Sequence, residues 1–276
     1  MRLAISNIAW DTTEDEGAAA LLKKYHVDAI DIAPGKYFPV PGKATAADMH
    51  AVKDQWAERG VEITGMQALL FGTTGLNMFG APDIQQAMLD HLGAVCRLGA
   101  GTGAKRLVFG SPKNRDRSGL SDSQTLDMAI PFFRRLGDLA LQHDVIVCLE
   151  PNPPCYGANF MTDSVETAEV VQLVGHPAIK MQLDTGALTI NGENARNVLA
   201  EHAELIGHVH ASEPDLIPLG DAKTDHGTLH AILREYLPEH VVSIEMVATK
   251  HEPHLASIER ALIVAVQNYR SAKEYR

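Results

Sequence analysis

Eight short apolar runs, each followed by a longer amphipathic stretch, set the rhythm of this chain. The apolar runs span 2–7, 28–33, 61–68, 105–110, 145–150, 178–183, 205–210 and 241–247. Several are apolar nearly throughout, the pattern of strands in a parallel sheet covered on both faces. Between them, apolar spacing predicts helices near 15–25, 45–59, 83–98, 122–143, 163–175, 193–203 and 226–236, with a last one over about 253–273. Thr13, Asp122 and either Asp163 or Ser164 are the capping residues at helix starts. Strand then helix, eight times, with no Pro/Gly/Ser linker, predicts a single (β/α)8 TIM barrel of parallel strands over residues 1–276. An open doubly wound sheet is the rival architecture. It explains the count less well and would not gather the ends of strands 5 to 8 around one point.

The segments after the strands are long and rich in polar, Gly and Pro residues, as in APGKYFPVPGK, LLFGTTGLNMFG, GSPKNRDRSGL and PNPPCYGANF. Those before the strands are short and plain (YH, ERG, QHD). Elaboration on that one face is where barrel enzymes keep their chemistry.

Four residues occupy equivalent places at or next to the ends of the last four runs: Glu150 in VIVCLE, Asp184 after IKMQL, His210 in IGHVH and Glu245 in VVSIE. The gaps between them are 34, 26 and 35 residues, about one strand–helix unit each. Taken singly, Glu150 could be a solvated loop acid, Asp184 a helix N-cap, and either His208 or His210 a core histidine. Glu245 lies inside an apolar strand, where an unpartnered carboxylate is costly. Together, three carboxylates and an imidazole make an oxygen-rich site for one divalent cation. Mn²⁺ is the first expectation, with Mg²⁺, Co²⁺ or Zn²⁺ as alternatives. Glutamates on strands 5 and 8 would face each other across the mouth. A metal between them stabilises an enediolate while one glutamate takes the proton next to a carbonyl and the other returns it.

The chain resembles the xylose-isomerase-like TIM-barrel superfamily, the sugar phosphate isomerase/epimerase group, over its whole length. That group includes ketose 3-epimerases, inosose dehydratases and endonuclease IV-type nucleases. CLEPNP, LDTG, GHVHASE and SIEM carry the resemblance most specifically. It implies that Glu150, Asp184, His210 and Glu245 bind the metal, that the two glutamates are the acid and base, and that His210 is the ligand of the HVH pair. Three positions depart from the epimerase pattern: Ala187 replaces a histidine, Leu216 an arginine and Tyr156 an acid. In the relatives those residues help to hold the ketose, so the resemblance implies a kept metal site and a changed substrate grip. It also implies a homodimer or homotetramer.

Further candidates for substrate contact are Trp10, Gln67, Arg115, Tyr156, His208 and Glu213. Arg115, with Lys113 and Arg117 in one loop, reads as an anion grip or as a solvated charge cluster. Trp10, Tyr37, Phe38 and Phe71 would wall a sugar pocket or pack in the core. Gln67 and Asn7 would hydrogen-bond hydroxyls. Glu213 would support the site from behind or lie on the loop surface. GAGTG at 99–103 reads as a helix stop rather than a phosphate loop. Asp225, His226 and His230 open a helix or form a second metal site.

Composition narrows the partners. The net charge of −11 argues against nucleic acid or a membrane surface. No apolar run approaches the roughly 20 residues that span a bilayer. MRLAISNIAWD reads as a strand, not a leader. Three cysteines, with Cys96 in helix core and Cys148 in strand core, do not make a disulfide framework. A cytoplasmic protein acting on a small carbohydrate is expected. The leading reading is a metal-dependent sugar isomerase or epimerase. A lyase or dehydratase on an oxidised sugar or inositol is second, followed by an endonuclease IV-like nuclease and a non-catalytic sugar-binding protein.

Overall fold

The computed structural model describes residues 1–222 and 224–270. Eight strands close into one barrel in chain order, every neighbouring pair parallel. They are β1 (Leu3–Ser6), β2 (Ala29–Ile32), β3 (Glu62–Met66), β4 (Arg106–Phe109), β5 (Ile146–Leu149), β6 (Ile179–Asp184), β7 (Ile206–Ser212) and β8 (Val242–Glu245). The helices are α1 (Asp15–Lys24), α2 (Pro34–Tyr37), α3 (Ala46–Ala57), α4 (Pro82–Thr102), α5 (Asp122–Gln142), α6 (Ser164–Val174), α7 (Thr185–Asn191), α8 (Ala195–His202), α9 (His226–Tyr236) and α10 (His254–Tyr269). This is the (β/α)8 barrel that the alternating pattern predicts.

Local chemistry sets the boundaries. At α5, Ser121 Oγ accepts from Gln124 N while Gln124 Oε1 accepts from Ser121 N, so Ser121 is the cap and Asp122 the first helical residue. Before α1 the cap is not Thr13: Glu14 Oε2 accepts from Asp11 N at 3.1 Å in a short 3-10 turn. Of the pair Asp163 and Ser164, Asp163 caps α6. GAGTG is the end of α4, which stops at Gly103 in a left-handed conformation (φ 99°). The helix α7 is too short for its periodicity to be seen, and the predicted helix at 193–203 is α8 alone. Positions 271–273 of the predicted last helix lie outside the described residues.

The apolar core lies between strands and helices, where Leu22, Trp56, Leu92, Phe132, Phe133 and Leu262 are buried. The barrel lumen is more polar, with Asp31, Gln182, His208 and Ser243 buried inside it. One irregularity decides what the mouth presents. Between β6 and β7, Met181 pairs with Ile206 but Gln182 pairs with His208, so Gly207 is an extra residue. The shift places His210 beside Asp184 instead of Val209. Neighbours in a parallel pair share a face, so both side chains point into the barrel. A Cβ on Gly207 would come within 2.8 Å of Cys148 Sγ and of Lys180 Cβ, so the bulge requires glycine.

Candidate metal centre at the barrel mouth

Glu150 follows the last residue of β5, Asp184 and Glu245 end β6 and β8, and His210 lies near the end of β7. Each offers one ligand atom, and the four atoms lie within 4.8 Å of one another. His210 Nδ1 stands 3.3 Å from Glu150 Oε1 and 3.2 Å from Glu245 Oε2. Asp184 Oδ2 accepts from Ser212 Oγ at 2.6 Å, and its Oδ1 accepts from the Ala187 amide at 2.6 Å. Glu245 Oε1 accepts from Gln67 Nε2 at 2.9 Å, and Glu150 Oε2 from Asn152 Nδ2 at 3.3 Å. Gly110 closes β4 against Glu150, and a Cβ there would overlap Glu150 Oε2.

Three carboxylates against one imidazole leave the cluster negative even with the imidazole protonated. Burial and the charges of Glu245 and Glu150 push the Asp184 carboxyl up to about 7. Burial opposes protonation of His210, but Glu245 and Glu150 outweigh it and raise its pKa well above the usual imidazole value. The same imidazolium outweighs burial at Glu245 and lowers its carboxyl. Glu150 Oε1 is buried and accepts no hydrogen bond among the described residues. A cation among these four groups would neutralise the excess charge and satisfy that oxygen, so the donor set fits a hard divalent metal.

Two clefts flank the cluster. One, of about 250 Å³, is lined by Gln67, Leu69, Phe71, Val108, Glu150 and Glu245, among others. The other, of about 320 Å³, brings Tyr156, Ala187 and Leu216 to the same rim as Glu150, Asp184 and Glu245. The three positions that depart from the epimerase pattern thus share one wall beside the candidate ligands. Tyr156 is anchored there, its hydroxyl accepting from the Asp215 amide at 2.7 Å.

The other substrate candidates fall elsewhere, and four expectations are corrected. Trp10 is core, not pocket wall: its indole is buried, donates to Asp15 Oδ1 at 2.8 Å and packs edge-on against Trp56. Arg115 does not face an incoming anion. It is fully buried, where desolvation lowers its pKa to about 10, and its Nη1 donates to the Glu150 carbonyl at 2.7 Å. His208 lies deeper in the lumen, with Nε2 3.0 Å from Asp31 Oδ2 and its ring edge-on to His210. Glu213 turns away from the mouth, where Oε1 accepts from the Gly220 amide and pairs with His226 Nε2 at 3.1 Å.

Asn7 is buried and accepts from the Ala33 amide, and Tyr37 donates to Asp15. Phe38 is core, whereas Phe71 is 83% exposed on the cleft rim. Lys113 also lines that cleft, while Arg117 is tied to Asp122 and Asn159. Asp225 caps α9, and His226 bonds Tyr269 rather than joining a metal group. Sequence reasoning missed Ser212, Asn152 and Gly110. Ser212 had a signal, standing two residues after His210 on the same face of a strand.

The model of the family described as "Xylose isomerase-like TIM barrel" matches residues 19–264. A search of curated proteins finds no match. Among solved structures, D-psicose 3-epimerase from Clostridium cellulolyticum H10, crystallised with D-tagatose, superposes with a TM-score of 0.81 at 15% identity, covering 98% of this chain and 100% of that one. The 3-keto-D-glucoside 4-epimerase of E. coli in its apo form gives 0.78 at 18% identity, covering 97% and 99%. The probable 3-DHS dehydratase of Bacillus anthracis gives 0.73 at 14% identity, covering 98% and 100%. At these identities the likeness is one of fold.

Proposed function

The chain belongs to the xylose isomerase-like TIM-barrel family, and on that premise we propose that it is a divalent-metal-dependent sugar isomerase or epimerase acting on a hydroxylated carbonyl compound. The observation that carries the reading is the convergence of Glu150, Asp184, His210 and Glu245 at the mouth, with ligand atoms within 4.8 Å. Those four residues would hold the cation, with Mn²⁺ the best match to three hard oxygens and one imidazole. When bound, it supplies Lewis-acid stabilisation of the negative charge that develops on substrate oxygens as the adjacent carbon loses its proton.

The side chains divide the remaining work. Glu150 and Glu245 approach from β5 and β8, on different sides of the mouth. One takes the carbon-bound proton and the other returns a proton to the opposite face, which inverts the centre. Gln67 and Asn152 fix the orientation of these two carboxylates. Asp184, held by Ser212 and the Ala187 amide, is kept in place as a ligand. Leu69, Val108 and Phe109 give the cleft beside these carboxylates an apolar wall.

The test is solvent exchange. Metal-replete protein in D2O should incorporate deuterium next to the carbonyl of its keto-sugar substrate, read by NMR. Glu150→Gln and Glu245→Gln should each slow that exchange by roughly 10²–10⁴-fold. Either variant exchanging at the wild-type rate would overturn the assignment. The fold likeness to a dehydratase supports a second reading, in which the same proton abstraction is followed by expulsion of a β-leaving group. The product mass separates the two, because elimination changes it and epimerisation does not.

A further inference from the structure

Beside the metal cleft lies a larger chamber of about 690 Å³ that the proposed reaction does not use. The two spaces share Ile8, Ala68, Leu69 and Phe71, so a ligand seated over Glu150 and Glu245 would reach the chamber directly. Its far wall comes from the segment after β2, with Pro39, Val40 and Pro41, and from Val247 after β8. Seven large hydrophobic side chains are exposed among the described residues, and three of them, Val40, Phe71 and Val247, line this one chamber. Exposed apolar surface gathered in a concavity marks a binding site more often than scattered exposure does.

The polar side chains of the wall are already engaged. Lys36 Nζ donates to the Asn7 carbonyl at 2.8 Å and also to that of Trp10. Thr73 Oγ1 donates to the Leu70 carbonyl at 2.7 Å, and His91 Nε2 bonds the Leu69 carbonyl at 2.9 Å. A second sugar ring would bring several hydroxyls into a space that offers three polar side chains, each already bonded to main chain, at a desolvation cost for each unpaired group. An apolar group carries no such cost.

We propose that the chamber is a subsite for an apolar, aryl-sized aglycone, and that the substrate is a glycoside or similarly substituted sugar rather than a free monosaccharide. This rests on the sugar-active reading of the metal cleft. It goes beyond that reading in assigning what the sugar carries.

Binding of two unreactive probes in excess Mg²⁺, measured by calorimetry, tests it. Phenyl β-D-glucopyranoside should bind at least tenfold tighter than methyl β-D-glucopyranoside, as expected for burying one ring. Val40→Asp and Val247→Asp, both at exposed positions, should each bring the phenyl probe down to the affinity of the methyl one. Equal affinity of the two probes for the wild-type protein overturns the proposal, as does full phenyl preference in both variants. If sedimentation shows a dimer that Val40→Asp dissociates, the surface belongs to a second copy of the chain and the proposal falls. The exchange experiment involves no aryl group, so the two readings fail separately. Aryl preference without exchange would leave the subsite standing and the catalytic reading lost, whereas exchange without aryl preference would do the reverse.

Discussion

Gln67 Nε2 donates to Glu245 Oε1 at 2.9 Å, a bond from the residue after β3 to the end of β8, made across the mouth of the barrel. The amide thus holds one of the two carboxylates proposed to move the proton. It also helps to lower the Glu245 carboxyl against the effect of burial. Gln67→Met keeps the volume and removes the donor. A hydrogen bond to a charged group contributes about 1.5–3 kcal/mol, so kcat should fall about 10- to 100-fold. The acidic limb of the pH–rate profile should move up as Glu245 loses its donor. An unchanged profile would mean that Gln67 does not orient the carboxylate.

Metal uptake should release protons. In the metal-free protein the raised pKa of His210 keeps its imidazole charged, and Asp184 holds its proton up to about 7. A cation needs the neutral imidazole and the ionised carboxylate, so it competes with both protons. Apparent affinity should therefore weaken as pH falls, and below about pH 7 it should fall more than tenfold per unit. Calorimetric titrations in buffers of different ionisation enthalpy count the protons directly. A flat affinity between pH 6 and 8 would contradict the cluster's electrostatics. Bound at a hundredfold excess over Kd, the metal should add about 2.7 kcal/mol of stability, which chelation removes.

Gly110 has no catalytic atom, yet a methyl group there would occupy the space of Glu150 Oε2. Gly110→Ala should swing that carboxylate out of the cluster. The expected result is metal affinity weakened at least tenfold, with a stability change of only about 1 kcal/mol because the side chain can turn towards the open cleft. A variant that binds metal normally would show that Glu150 can shift and still coordinate.

The alternation of apolar runs and amphipathic stretches made the barrel legible, because each strand buried on both faces leaves its own signature. Glu150, Asp184, His210 and Glu245 were legible for the same reason, each interrupting or ending such a run. What the pattern does not carry is side-chain direction in irregular backbone. Arg115 and Glu213 sit in loops whose charges read as solvent-facing, and the structure turns both inward to brace the chain. Trp10 follows β1 like a pocket residue, but a short 3-10 turn carries it into the core. The bulge at Gly207 puts His210 rather than Val209 beside Asp184. Register of that kind depends on the neighbouring strand.

The buried pair below the mouth gives a stability prediction. His208 Nε2 lies 3.0 Å from Asp31 Oδ2, and both side chains are almost fully enclosed. Burial opposes ionisation of Asp31, but the charge and hydrogen bond of His208, reinforced by His210 and Ser243, outweigh it and lower the carboxyl to about 2. Its unfolded value is about 3.9. A depressed carboxyl stabilises the fold above the unfolded pKa, and the contribution is lost as pH falls through the folded one, here between about 4 and 2. Asp31→Asn removes the carboxylate that faces His208 in a closed lumen, which should cost about 3 kcal/mol at neutral pH. Urea denaturation of both proteins at pH 7 and pH 3 should show the gap between them narrowing at the lower pH. Equal stability at pH 7 would mean that the Asp31 carboxylate adds nothing to the pair, and that Gln182 alone positions His208 beneath the candidate metal centre.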